Sequence, residues 1–229
     1  MAKHIGIVAC SAEGAALCYR TICADAAQRM GEHNHPEITM HTHALAEYME
    51  PIRTGNWDSV ARLMLSSARI VAAAGAQFAI CPDNTIHQAF DRVETDSPIP
   101  WLHIARTVAA QAREAGHKTV GVLGTKYLMT GPVYKEALAL CGIKQLIPEE
   151  SVRQQIDRII FDELVYGVFT DDSRQYFNQV IGQMKAAGAT AVVLGCTEIP
   201  LLVRPEESPL PTMDSTRLLA RAALDYALA

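Results

Sequence analysis

The sequence has no Cys-x-x-Cys pair, no long block of one charge, no apolar run long enough to cross a membrane and no glycine-rich phosphate loop. Six cysteines (Cys10, Cys18, Cys23, Cys81, Cys141 and Cys196) are scattered through 229 residues, which is not the pattern of a disulfide framework. They read as free thiols in a reducing compartment. A formal net charge of -5, spread along the chain, excludes a nucleic-acid groove and a basic membrane-binding face. No stretch reaches the roughly 18 uninterrupted apolar residues of a membrane helix. Residues 1–14 lack the basic start, apolar core and cleavage site of a signal peptide, so the expected location is cytoplasmic. After the apolar run Ile5 to Val8, where a dinucleotide-binding loop would stand, the chain reads Ala-Cys-Ser-Ala-Glu-Gly, and no nucleotide cofactor is expected.

What the chain does have is apolar residues in quantity, 49% of the total, enough to bury a sizeable core. Short β-branched runs alternate with helical patterns. Strands are predicted at Ile5 to Val8, Ile38 to Met40, Phe78 to Cys81, Thr119 to Leu123, Lys144 to Ile147 and Ala191 to Leu194. Helices are predicted near Ala15 to Met30, Trp57 to Ala74, Ile104 to Ala115, Pro132 to Leu140, Ser151 to Tyr166, Ser173 to Ala187 and Thr216 to Ala227. That rhythm predicts an α/β fold with parallel sheets and helices on both faces.

The chain also resembles itself. Ala73-Ala74-Gly75-Ala76 lies over Ala186-Ala187-Gly188-Ala189, and the strands that follow, Phe78 to Ile80 and Ala191 to Val193, fall in register. Without a gap, Asp83 lands on Cys196. The first strand repeats as well, Ile5 to Cys10 over Val120 to Thr125. Two related halves are implied, each a strand-helix-strand-helix-strand unit, with boundaries placed at 1–100 plus 211–229 and at 101–210. A pseudo-two-fold relation between the halves would set Asp83 and Cys196 on opposite walls of one cleft.

In open parallel sheets, ligands bind outside the carboxyl ends of the strands, where loops lead into helix N-termini. Four such ends are Cys10-Ser11, Asp83-Asn84-Thr85, Thr125-Lys126 and Cys196-Thr197-Glu198. A cysteine there sits in the positive end of the helix dipole, which favours thiolate. The amides of Thr197 and Glu198 could hold a carboxylate or an enolate oxygen. Inversion at a carbon beside a carboxylate needs two opposed acid/base groups, one to remove a proton and one to return it. Cys196 and Asp83 are the candidates, with Asn84, Thr85, Ser11 and Thr125 as donors to a substrate carboxylate. Asp83 could equally cap the helix that follows it, and Cys81, two residues earlier, is the other candidate partner of Cys196.

His33 with His35, and His41 with His43, repeat an i, i+2 spacing that puts both rings on one face of a strand. The first pair reads as a polar loop, and the second, at the strand's far end, suits substrate binding better than metal, so His43 joins the substrate-binding candidates and no metal site is expected. His87 and His103 read as structural.

These motifs resemble the aspartate/glutamate/hydantoin racemase superfamily, nearly end to end. Gly195-Cys196-Thr197-Glu198-Ile199-Pro200-Leu201-Leu202 resembles its second catalytic segment. Gly55 to Asp58, Ala74 to Ala76, Asn84 to His87, Ile99 to Ile104, Gly121 to Thr125 and Ile159 to Leu164 resemble further segments in the expected order. The resemblance implies two Rossmann-like domains with the active site between them, a C-terminal helix returning to the first domain, a homodimer, and racemisation of amino acids without pyridoxal phosphate by two opposed cysteines. Cys196 matches the second cysteine. The first position is Asp83 instead, and Leu128 and Leu219 stand where threonine and histidine are common; these departures leave the substrate open. The reading is therefore a cofactor-independent racemase-like isomerase acting on a small carboxylate or amino acid. A single-cysteine lyase of the same superfamily and a non-catalytic small-carboxylate binder are the alternatives.

Overall fold

The computed structural model describes residues 2–229, which form two compact units. The first comprises the residues up to Thr107 together with Thr216–Ala229, and the second is Val108–Ser215.

In the first unit the order is β1 (Ile5–Ala9), α1 (Ala12–Met30), β2 (Ile38–Thr42), α2 (Leu45–Thr54), α3 (Trp57–Ala73), β3 (Phe78–Ile80), a 3-10 turn over Thr85–Ala89, α4 (Phe90–Asp96) and β4 (Trp101–Leu102). The chain passes into the second unit along α5 (Ile104–Glu114). There follow β5 (Thr119–Leu123), α6 (Lys126–Thr130), α7 (Pro132–Leu140), β6 (Lys144–Leu146), α8 (Glu150–Asp162), α9 (Asp171–Ala186), β7 (Ala191–Leu194), α10 (Ile199–Leu202) and β8 (Thr212–Asp214). The last helix, α11 (Ser215–Leu228), belongs almost wholly to the first unit.

Each unit holds one four-stranded, all-parallel sheet, in the orders β2-β1-β3-β4 and β6-β5-β7-β8. The α/β class expected from the strand-helix rhythm is the observed one. Each unit has one strand more than expected. β4 is two residues long and β8 three, too short to show a period of two.

The internal repeat is visible in atomic detail. Gly6 pairs with Ala79 in the first sheet and Gly121 with Val192 in the second, the pairs that the self-alignment matches. Helices α3 and α9 end alike: Gly75 (φ 102°) and Gly188 (φ 96°) take a conformation open to glycine. The amides that follow, Ala76 and Ala189, reach back to the carbonyls of Val71 and Met184, each at 3.0 Å, closing a Schellman turn. The fourth strands join in the same way, through Ala79 N–H to Pro100 and Val192 N–H to Pro211.

Alternation along β1 builds the first unit's layers. Ile5 and Ile7 point to a core shared with Cys18 and Ile22 of α1 and with Leu219, Ala220, Ala223 and Ala227 of α11. Gly6, between them, faces the other way, where a Cβ would stand 2.7 Å from Val71 Cγ2 of α3. In the second unit Ile156, Ile159 and Ile160 of α8 and Phe177, Val180, Ile181 and Met184 of α9 pack on Leu123, Val192 and Leu194.

Candidate active site

In the first unit the site is built at the carboxyl ends of β1 and β3. Past Ile80 the chain runs through Cys81 and Pro82 to Asp83, whose Oδ2 accepts the main-chain N–H of Cys10 at 3.2 Å and of Ser11 at 3.1 Å. Those amides lie at the start of α1. Two donors and the positive end of a 19-residue helix favour the charged carboxylate. Ser11 caps the same helix, its Oγ accepting the Gly14 N–H at 3.3 Å. Ser11 thus reaches Asp83 through its backbone, and its hydroxyl oxygen serves the helix.

Cys81 is fully buried, and its thiol donates to the Asp83 carbonyl at 3.7 Å. Burial, then the negative charge of Asp83, pushes this thiol well above its usual range. It is held as a neutral thiol. Asn84 is buried and Thr85 partly exposed, side by side at the start of the 3-10 turn.

His87 and His103 are locked as neutral rings. His87 Nδ1 donates to the Asp83 carbonyl at 2.9 Å, and Nε2 faces the Ile104 N–H at 3.5 Å. Burial, ahead of the nearby Arg106 charge, takes His87 down to about 4. His103 Nδ1 accepts the amides of Ala105 (3.1 Å) and Arg106 (3.3 Å), capping α5. Burial, then His87 and Arg106, lowers it to about 2.

His41 and His43 sit edge to face, centroids 4.9 Å apart. His41 Nδ1 bonds the buried Ser67 hydroxyl at 2.9 Å, and burial, then His43, lowers its pKa. His43 in turn packs against Tyr48 of α2, centroids 6.5 Å apart. Among the described residues, no three His, Cys, Asp or Glu side chains gather into a metal-holding group.

In the second unit the corresponding place is the loop after β7. The partly exposed Cys196 donates its thiol proton to Glu198 Oε2 at 2.9 Å. Glu198 is 4% exposed and Thr197 3%. The loop can follow this path because residue 195 is glycine: a Cβ there would stand 2.8 Å from the Leu123 carbonyl and 2.5 Å from Leu128 Cδ2. Leu128, one of the departures from the racemase pattern, lies over Gly124 and Gly195 and so forms the floor under the Cys196 loop. Thr125 plays Ser11's part, its Oγ1 accepting the Leu128 N–H at 3.2 Å at the start of α6. Behind the loop, the buried Ser215 hydroxyl donates to the Leu194 carbonyl at 2.9 Å.

The structure therefore groups Asp83 with Ser11, Asn84, Thr85 and Cys10 in one unit, and Cys196 with Thr197, Glu198 and Thr125 in the other. Glu198 enters by its side chain, where the sequence reading considered its amide, and a carboxylate two residues after a cysteine in a strand-to-helix loop is the signal for it. Tyr48 and Ser67 carry no such signal.

A profile of the Asp/Glu/hydantoin racemase family matches residues 5–223. The chain belongs to that family. Among solved structures, it is similar to a Yersinia pestis protein assigned as an Asp/Glu racemase, with a TM-score of 0.91 and 32% identity over 99% of this chain and 100% of the other. It is also similar to an aspartate racemase homologue from Pyrococcus horikoshii OT3, with a TM-score of 0.84 and 26% identity over the full length of both. Among curated proteins, the broad specificity amino-acid racemase RacX of Bacillus subtilis (strain 168) is 21% identical over 175 residues, 75% of this chain and 74% of RacX. Within the racemase family this chain carries Asp83 at the repeat position of Cys196.

Proposed function

We propose that this protein is a cofactor-independent amino-acid racemase that inverts a carbon beside a carboxylate by two-base chemistry, with Asp83 and Cys196 as the two bases. The observation that carries the reading is their equivalence. Each stands in the loop after the third strand of its unit, at one and the same position of the repeat, and each has an ionisable side chain engaged by a defined partner. RacX, named for broad amino-acid specificity, supports an amino-acid substrate.

The hydrogen bonds support one resting form. The amides of Cys10 and Ser11 favour Asp83 as a carboxylate, the form a base needs, and the thiol of Cys196 keeps its proton against Glu198. In one direction Asp83 takes the α-proton and Cys196 protonates the planar intermediate from the other face. Cys196 is left as thiolate and Asp83 as acid. The opposite direction begins from that second form, and between turnovers a proton returns to sulfur and one leaves Asp83. Glu198 takes part by holding a proton, taken up from solvent, while Cys196 is thiolate, since thiolate and carboxylate 2.9 Å apart cannot both hold full charge without strong repulsion, and it passes that proton to sulfur between turnovers. Asn84, Thr85, Thr125 and Thr197 supply donors for the substrate carboxylate. The protein is proposed to act in the cytoplasm as a homodimer, which light scattering of the purified protein checks.

A single-cysteine lyase is the second reading, and it is favoured by the same two amides: a carboxylate so well held is a weak proton acceptor. Proton NMR in D₂O with a panel of amino acids and small carboxylic acids separates the two. Loss of the α-proton signal, abolished by both Cys196→Ala and Asp83→Ala, supports the racemase. Exchange that survives Asp83→Ala but not Cys196→Ala, with one product hand retained, moves the assignment to the single-cysteine mechanism.

A further inference from the structure

The end of β2 carries a polar spot that the proposed chemistry does not use. Ala9 lies opposite Thr42 in the β1–β2 register, so the next residues, Cys10 and His43, leave the sheet at one level. Cys10 holds Asp83 through its amide. From His43 the chain turns into α2, and Tyr48 comes back one turn later with its ring against His43. Tyr48 is fully buried. Its hydroxyl and the Nε2 of His43 are both shut off from solvent without a hydrogen bond, and Ser67, the hydroxyl beside Tyr48, is engaged by His41 and closes no bond of normal geometry with the phenol. Native interiors rarely leave two such atoms together unmatched, because each then loses its hydration with nothing in return.

From this geometry we infer that Tyr48 and His43 form a side-chain subsite beside Asp83, selecting amino acids whose side chain ends in an O–H or N–H donor. The inference rests on the racemase reading and names its substrate class. A phenol oxygen accepts as well as donates, and the adjoining carboxylate of Asp83 repels a substrate that brings a second carboxylate. Burial, then the nearness of Cys81, Cys10 and Asp83, pushes the ionisation of Tyr48 up, so the subsite presents a neutral phenol. Carboxamide, hydroxyl and amine side chains meet these conditions; aspartate and glutamate do not.

The test uses isosteric pairs: α-proton exchange in D₂O for asparagine against aspartate and glutamine against glutamate, with alanine as the substrate lacking a polar end. Wild type is expected to favour the carboxamide of at least one pair, and Tyr48→Phe to lower kcat/KM for that carboxamide relative to alanine by roughly three- to tenfold, the loss of one neutral hydrogen bond. His43→Gln, at a partly exposed position, reports the same ratio should phenylalanine at 48 disturb the packing. A wild-type preference for the carboxylate of both pairs would overturn the subsite, as would Tyr48→Phe slowing every substrate alike or none. No exchange with any amino acid would instead remove the racemase reading, and the subsite with it.

Discussion

The thiol of Cys196 and the carboxylate of Glu198 are 2.9 Å apart and share one proton, in a loop where Glu198 is almost wholly buried. Glu198→Gln keeps the shape and an oxygen acceptor but cannot take the proton. Exchange of the substrate α-proton is expected to fall about 100-fold or more, the usual scale for loss of a group that accepts and returns a proton. Exchange rates measured on both proteins at the same pH check this. An unchanged rate would reduce Glu198 to a packing role.

Asp83 offers a separate readout of stability. Asp83→Ala leaves the amides of Cys10 and Ser11 without the oxygen they now share, at the end of β1. Since the residue is partly exposed, water replaces some of that interaction, and the loss is expected at about 1 kcal/mol. Asp83→Asn retains an oxygen for the same amides, so it should keep most of the stability and still lose exchange activity by about 100-fold. Urea denaturation of the two variants, run beside the exchange assay, distinguishes a base from a helix cap: a cap would lose its role in Ala and keep activity in Asn.

Much of this was legible in the sequence, and the limits have physical causes. Strand runs such as Thr119–Leu123 and Ala191–Leu194 are continuous and apolar because both faces of each sheet are covered, and the repeat at Ala73–Ala76 and Ala186–Ala189 is spelled out by the two glycines that close the Schellman turns. Helix α2 was not legible: it is ten residues long and carries Pro51 near its end, which reads as a breaker. With α2 hidden, Tyr48 had no predicted place. Cys81 and Asp83 could not be ranked from spacing alone, since the difference between them is burial, complete for one and partial for the other. The pairing of Cys196 with the Glu198 side chain depends on the turn after β7, which no periodicity encodes.

The repeat also predicts unequal responses at equivalent glycines. A Cβ at Gly6 would meet Val71 Cγ2 at 2.7 Å, and one at Gly121 would meet Met184 Cε at 2.8 Å. Valine is branched at Cβ and stiff, whereas the end of a methionine turns aside easily. Gly6→Ala is therefore expected to destabilise by about 1–3 kcal/mol, the range for overpacking a core, and Gly121→Ala by about 1 kcal/mol less. Thermal or urea unfolding of the two variants measures the difference, and Gly6→Ala combined with Val71→Ala should recover part of it. Equal losses would show that the helix, not the side chain, sets the gap.

The neutral histidines beside Asp83 make stability depend on pH in a stated direction. His87 and His103 have folded values near 4 and 2, against an ordinary 6.5, so in mild acid the unfolded chain binds protons that the native state refuses. Stability then rises with pH over this window and is complete above about 6.5, where both states are neutral. As pH falls it is lost progressively, down to the folded value of each ring. For His87 alone the loss between pH 7 and pH 4 is on the order of 3 kcal/mol. His87→Gln can still offer an N–H to the Asp83 carbonyl and cannot titrate; it should start less well packed against Phe90, whose ring stacks 5.6 Å from the imidazole, yet show a flatter stability curve from pH 7 to pH 4. Urea midpoints at half-unit intervals give the slope. Parallel curves for wild type and variant would mean that His87 is protonated in the native protein, so that its Nε2 could not accept the Ile104 N–H.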